Sequence, residues 1–272
     1  MDISLYLMKL MDEKDSSHVV TSTFYALKRI HSFVCNRDID DPTENFLVRN
    51  IVETAKLVLS KPVTHKDAFP ADALVALCQS LKSSVDVVEL RDLTMFVLLF
   101  SGFLRFNELQ NLQCNDVKLF KTHLELHIRK AKTDQYRSGN KVMIAKTDNV
   151  SCPLNIVQRY IEASNIELDS DCYFLKPAFR SKETTALVHV NKPLTYSRAN
   201  EILRNRFKGL VPDVSKYSLH AFRAGGATAA ANQGVGDRCF KRHGRWKSES
   251  AKDRYVNNSL QSRLAVTQKL GL

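Results

Sequence analysis

The chain has 272 residues, of which 44% are hydrophobic and 25% charged, and a formal net charge of +11. That length and apolar content suit a protein with a real core, most simply two unequal domains, and exclude wholesale disorder. Residues 201–272 hold 14 Lys and Arg against five acids, +9 of the total, so the positive charge is concentrated where a polyanion would be held, nucleic acid before membrane; a merely soluble cationic surface is the bland alternative.

From Ser17 to about Asn36, apolar residues recur at Val20, Phe24, Leu27, Ile30 and Val34, the spacing of an amphipathic helix. Asp41-Pro-Thr-Glu44 offers an N-cap, a proline at the first helical position and a glutamate at N3 for a second helix running to about Ser60. Lys61-Pro-Val-Thr-His-Lys-Asp67 lacks periodicity and predicts a linker, which sets domains of 1–63 and 67–272. Phe69-Pro70 opens a helix through Leu81. Asp86 to Gly102 contains Met95-Phe-Val-Leu-Leu-Phe100, too continuously apolar for a surface helix and suited to the centre of the larger domain.

Leu124, Leu126 and Ile128 alternate with polar residues, and Val142-Met-Ile144 follows a polar stretch, which predicts a β-hairpin with Lys132 near its turn. Helices are expected over Pro153–Ala163, Tyr196–Lys208, Leu219–Gln233, Asp237–His243 and Ser248–Asn257, with Gly234 a natural stop. The fold class is therefore mainly α with one small β-sheet (α+β). Cys35, Cys78, Cys114, Cys152, Cys172 and Cys239 form neither a C-x-x-C pair nor a zinc-finger spacing, so reduced, mostly buried thiols are expected. With no leader pattern and no run near the roughly 18 apolar residues of a membrane span, the expectation is an intracellular protein, nuclear in a eukaryote, with no membrane partner.

Several residues have a chemistry in common. A tyrosine, with an ordinary pKa near ~10, needs electropositive surroundings to act as a nucleophile, and Tyr255 lies in the basic run Lys252-Asp-Arg-Tyr-Val. Guanidinium forks match the oxygens of a phosphodiester; Arg105, just after a predicted buried helix, and Arg223, at the start of another, would make a clamp. His220 precedes Arg223 by three residues and shares its helix face, where an imidazole would take the tyrosine's proton or bond the phosphate. Lys132, with Lys130 as a neighbouring alternative, would protonate a leaving 5′ oxygen. Trp246, the only tryptophan, offers an N–H donor and an apolar wall. Glu108, three residues after Arg105, would orient that arginine or a neighbouring base rather than act as a catalytic acid. Each residue taken singly has a bland reading: a packed tyrosine, surface ion pairs, a capping histidine, a solvated lysine, a core indole. The signal is in the ensemble. No P-loop, His-Glu-x-x-His or dinucleotide fingerprint is present, so neither a metal nor a cofactor is expected.

In the order Arg105, Lys132, His220-x-x-Arg223, Trp246, Tyr255, the chain resembles the tyrosine recombinases, or phage-type integrases. Ser101-Gly-Phe-Leu-Arg105-Phe-Asn-Glu108 is similar to that family's first arginine box, and His220 to Arg223 with the nine-residue step from Trp246 to Tyr255 to its second. The resemblance implies a helical core-binding domain before a catalytic domain, double-stranded DNA as substrate, and self-assembly into a dimer or tetramer on DNA. It also implies a 3′-phosphotyrosyl intermediate formed without metal or cofactor. Trp246 stands where the family often has histidine, and Ala-Gly-Gly-Ala-Thr follows Arg223 in place of the common His-Thr-Phe wording. That wording, with His243-Gly-Arg-Trp-Lys-Ser248, is more similar to recombinases of DIRS-type or Crypton-like mobile elements. Residues 1–60 are short for a full core-binding domain, and Ser259–Leu270 resembles the tail that members pass to a neighbouring subunit, a cap folded on its own domain being the alternative. Two rival readings remain at this level: a domesticated, catalytically inert DNA-binding protein, and a type IB topoisomerase that relaxes DNA without exchanging partners.

Overall fold

The computed structural model describes residues 2–13, 16–34, 41–60, 67–129, 139–180, 185–253, 255–256, 264 and 267–268. The chain divides into two compact units, Met1–His65 and Lys66–Leu272.

The first unit contains α1 (Ile3–Glu13), α2 (Ser17–Val34) and α3 (Phe46–Val58). Leu7 from α1, Val20 and Phe24 from α2, and Val48, Val52 and Ala55 from α3 form its small core. Helix α1 has no counterpart in the sequence expectations. The predicted cap is corrected in position: Asp41 caps a separate 3-10 turn, Pro42–Glu44, and Asn45 caps α3 by accepting from the Leu47 N–H. Proline at the first position suits either kind of helix, but the Asn45 carbonyl side chain provides a second, later cap that the local sequence did not advertise.

The second unit follows the chain through α4 (Ala71–Ser80), α5 (Val87–Ser101), α6 (Phe106–Gln110), β1 (Val117–Leu119), β2 (His123–Ile128), β3 (Asn140–Ala145) and α7 (Pro153–Ser164). It continues with β4 (Ala178–Arg180), β5 (Thr185–Leu187), α8 (Tyr196–Phe207), α9 (Leu219–Asn232), α10 (Asp237–Gly244) and α11 (Glu249–Asp253). The fold is mainly α with β, but the single sheet becomes two: an antiparallel β1-β2-β3 sheet and a β4-β5 hairpin. The predicted hairpin is β2 with β3, Leu124 opposite Ile144 and Leu126 opposite Val142, with all four side chains buried. Strands of three residues such as β1, β4 and β5 are too short to carry a period. Lys130 and Lys132 lie outside the described residues.

Helix α5 runs through the middle of the unit. Asp86 caps it by accepting from the N–H groups of Val88 and Glu89, and its residues from Leu90 to Leu99 are buried on every side. Even its charged pair is internal: Arg91 Nε donates to Asp92 at 2.7 Å, and Arg206 of α8 reaches Asp92 at 2.9 Å and Glu89 at 3.0 Å. Burying these charges is tolerated because each finds a partner.

Against α5 lies α9, and the sequence Gly225-Gly226 explains how closely. A Cβ on Gly225 would stand 2.2 Å from the Phe69 carbonyl oxygen, and one on Gly226 2.0 Å from that of Phe100. Only glycine lets the helix backbone approach these carbonyls. The Phe69 N–H donates to the Ala221 carbonyl at 2.9 Å, and Phe222 stacks on Phe69 with ring centroids 4.0 Å apart. These contacts set the first turn of α9, which carries His220 and Arg223, beside the end of α5, from which Arg105 follows.

Candidate active site

The chain leaves α5 through Gly102-Phe103-Leu104 and begins α6 at Arg105. Phe103 takes a positive φ of 45°, a conformation that costs a non-glycine residue about 1–2 kcal/mol. Its carbonyl oxygen accepts from Arg223 Nη1 and, at 2.9 Å, from Arg245 Nη2. Glu108, 4% exposed, accepts the Arg105 backbone N–H at 2.9 Å, Arg105 Nη1 at 2.8 Å, and Arg245 Nη2 at 2.8 Å. The carboxylate therefore caps α6 and ties two guanidinium groups together. Burial alone would raise its pKa, but Arg245 first, then the Arg105 N–H, Arg223 and Arg105, outweigh it and hold Glu108 below the usual carboxylate range.

Arg223 is fully buried. Its Nη1 donates to the Phe103 carbonyl and its Nη2 to the Gly244 carbonyl at 2.5 Å. The guanidinium lies 5.0 Å from the ring centroids of both Trp246 and Tyr255, within cation–π range. Burial, then the like charges of Arg105 and Arg245, push its pKa down. His220, on the same side of α9, is exposed, its ring 5.1 Å from that of Tyr255. Desolvation, then Arg223 and Arg105, hold its pKa below the ordinary 6.5, so the imidazole is neutral at pH 7 and able to accept a proton.

Trp246 is 5% exposed and packs with Phe103, Phe240 and Tyr255. A Cβ on Gly244 would run into its ring at 2.0 Å. Its indole Nε1, with Arg223 Nε and Arg245 Nε, is a buried donor that finds no acceptor among the described residues. Three orphaned N–H groups in one place are unusual, since buried donors are nearly always paired.

The helix expected over Ser248–Asn257 is shorter than its sequence implies: α11 ends at Asp253, and Tyr255 lies in a turn. The Tyr255 N–H donates to the Lys252 carbonyl three residues back, at 2.9 Å, and its own carbonyl accepts from Thr228 on α9. Its ring lies against those of Trp246 and His220 and the guanidinium of Arg223. Lys252 bonds Asp237 and Glu249, and Lys241 bonds Glu249 at 2.5 Å, so α11 is held to α10.

The described fold thus gathers Arg105, Glu108, His220, Arg223, Trp246 and Tyr255, while Lys132 lies outside the described residues. Arg245 and His243 join them, though the spacing argument does not single them out. Arg245 sits one residue before Trp246, in the left-handed region at φ 56°, a conformation no sequence rule assigns to arginine. His243 packs its ring on Phe103 and bonds the Ser101 carbonyl at 2.8 Å. Three guanidinium groups against one carboxylate leave a net positive centre with unspent N–H donors, the chemistry of an oxyanion seat. No group of three or more His, Cys, Asp or Glu suited to a metal occurs among the described residues, and no described helix is long and apolar enough to cross a membrane.

The chain is similar in fold to the Tn1549 transposon integrase in complex with transposon right end DNA, at 15% identity and a TM-score of 0.59 over 99% of this chain and 84% of that one. It is also similar to the XerA recombinase, at 18% identity and a TM-score of 0.53 over 90% and 82%. A lambda integrase dimer bound to a COC′ core site matches at 16% identity and a TM-score of 0.54 over 96% and 64%. The sequence pattern of the phage integrase family matches residues 68–262. That match takes in the whole Arg105-to-Tyr255 constellation, and the chain belongs to the phage integrase family, the tyrosine recombinases.

Proposed function

We propose that this chain breaks and rejoins double-stranded DNA, in site-specific recombination or integration, with Tyr255 as its nucleophile. The observation that carries the reading is the packing of Tyr255 against His220, Arg223 and Trp246 beside an under-neutralised arginine cluster. Tyr255 Oη forms the bond to phosphorus as the bond to the 5′ oxygen breaks. The phenol proton passes to neutral His220, and Lys132 gives a proton to the departing 5′ oxygen. Arg105 and Arg223 take the charge that develops on the non-bridging oxygens, and the indole N–H of Trp246 adds a donor. Arg223 gives one N–H of each Nη to a carbonyl, and its Nε finds no acceptor among the described residues, so donors remain for a phosphate. The product is a 3′-phosphotyrosyl link and a free 5′-hydroxyl, and attack by a 5′-hydroxyl of another strand reverses the step without metal or cofactor.

Residues 1–63 serve as the core-binding domain and 67–272 as the catalytic domain, with dimers or tetramers assembling on the DNA as the lambda integrase dimer does on its core site. The work is nuclear in a eukaryote and cytoplasmic otherwise. Nicked suicide duplexes, incubated with the full chain and with Tyr255→Phe, test the reading. Covalent adducts from the wild type alone, with DNA affinity retained by the variant, are expected. Adducts surviving in Tyr255→Phe would remove Tyr255 from the role; DNA binding with no adduct from either would make the chain an inert binding module; relaxation without joining of separate duplexes would make it a topoisomerase.

A further inference from the structure

The geometry points to Arg245 as a positioning residue that sets both phosphate-binding arginines at once, an inference that rests on the strand-transfer reading above. Arg245 closes α10 with φ 56° and ψ 37°, the conformation glycine adopts without steric cost. Retaining a long side chain there needs a reason, and its contacts supply one. Nη1 donates to the carbonyls of His243 at 2.8 Å and Gly102 at 3.2 Å; Nη2 donates to Phe103 at 2.9 Å and to Glu108 at 2.8 Å.

Each of the last two acceptors is shared with a clamp arginine. Glu108 holds Arg105 with its other oxygen, and the Phe103 carbonyl holds Arg223. Arg245 is only 8% exposed and its two Nη groups are engaged by four protein acceptors, which leaves Nε as its one N–H without an acceptor among the described residues; four of its five donors therefore serve to hold its neighbours. A planar fork is required: lysine would keep the charge but has no pair of fixed donors to bridge a carbonyl and a carboxylate.

The groups facing Glu108 are Arg105 at the start of α6, His220 and Arg223 on α9, and Arg245 after α10. Arg245 is the leading influence that keeps Glu108 ionised against burial. Without it Glu108 takes up a proton more readily as pH falls, and its hold on Arg105 weakens.

The test uses the full chain as wild type, Arg245→Gly, Arg245→Lys and Glu108→Gln. Glycine suits the backbone at this position, so Arg245→Gly keeps the turn while losing the fork. Single-turnover cleavage of the suicide duplex should slow by about 100-fold or more in Arg245→Gly, with duplex affinity held within about threefold. The loss should fall on the cleavage rate and not on duplex affinity, a split that a variant merely unfolded would not produce. Arg245→Lys should recover little, and Arg245→Gly combined with Glu108→Gln should be no slower than the worse single variant, since both remove one unit. Cleavage by Arg245→Gly within threefold of wild type, or a loss of duplex affinity as large as the loss of rate, overturns the assignment.

Inorganic phosphate titrated against Trp246 fluorescence gives a readout that needs no cleavage. The wild type should bind and Arg245→Gly should bind at least about tenfold more weakly. Phosphate binding that depends on Arg245 in a wild type that forms no adduct would overturn strand transfer and leave the positioning role standing; equal phosphate binding by the two proteins would overturn the role itself.

Discussion

Substituting Glu108 by glutamine probes the electrostatic centre of the site with almost no change of shape. The native carboxylate accepts three N–H bonds, from the Arg105 backbone, Arg105 Nη1 and Arg245 Nη2, and is the negative partner in both ion pairs. Glutamine keeps one acceptor oxygen and turns an amide donor towards a guanidinium, so a buried cluster of three positive charges loses its counter-charge. Removing one partner of a buried pair costs about 3–5 kcal/mol, and the remaining acceptor favours the lower end, about 3 kcal/mol. With a urea dependence of about 2 kcal/mol per molar, the unfolding midpoint at pH 7 should fall by about 1.5 M, read by Trp246, whose fluorescence reports this unit alone because it is the only tryptophan.

Because the folded pKa of Glu108 is depressed, its stabilisation is fully present above the unfolded value of 4.5 and is lost as pH falls through the folded one. The gap between wild type and Glu108→Gln should therefore be flat from pH 6 to 8 and shrink below 4.5. Added sulfate should stabilise the variant more than the wild type by refilling the missing negative charge. A midpoint shift under about 0.3 M, or a gap that widens in acid, would refute the view that Glu108 neutralises this cluster.

Gly226→Ala should destabilise the second unit by about 1–3 kcal/mol through forced separation of α9 from the Phe100 carbonyl. Helix propensity alone demands the opposite sign, a gain of about 1 kcal/mol, so a variant with a raised thermal midpoint would discredit the close-approach account. With His220 as the proposed proton acceptor, adduct formation should hold steady as pH falls to 6.5 and decline only below it, because desolvation, Arg223 and Arg105 lower its pKa. A limb centred above 6.5, or one unchanged in His220→Gln, would assign it to another group. Below pH 6.5 the unfolded imidazole protonates before the folded one, so this residue's contribution to stability also drains away in acid.

Much of the second unit was legible because its helices carry their own signals. The run Met95–Phe100 is apolar on every face and α5 is buried on every face; Leu124, Leu126 and Ile128 alternate and β2 pairs β3. What failed to show was short or tertiary in origin. Helix α1 buries only Leu7, β4 and β5 are three residues each, and Tyr255, after α11, lies in a turn with its ring against Trp246 and Arg223.

Residue order was sufficient to pick out Arg105, Glu108, His220, Arg223, Trp246 and Tyr255 as a group that the fold brings together, since residue types and their rough spacing are written in the sequence. Their assembly was not, because it depends on backbone approach distances and carbonyl directions that belong to no single segment. Gly225 and Gly226 bring α9 onto α5, Phe103 turns its carbonyl inward at positive φ, and Arg245 reaches back 137 residues to share Glu108 with Arg105. Composition determined that the last 72 residues are strongly basic; only packing decided which arginines are internal, because a buried guanidinium is fixed by whichever carbonyls the fold leaves unpaired.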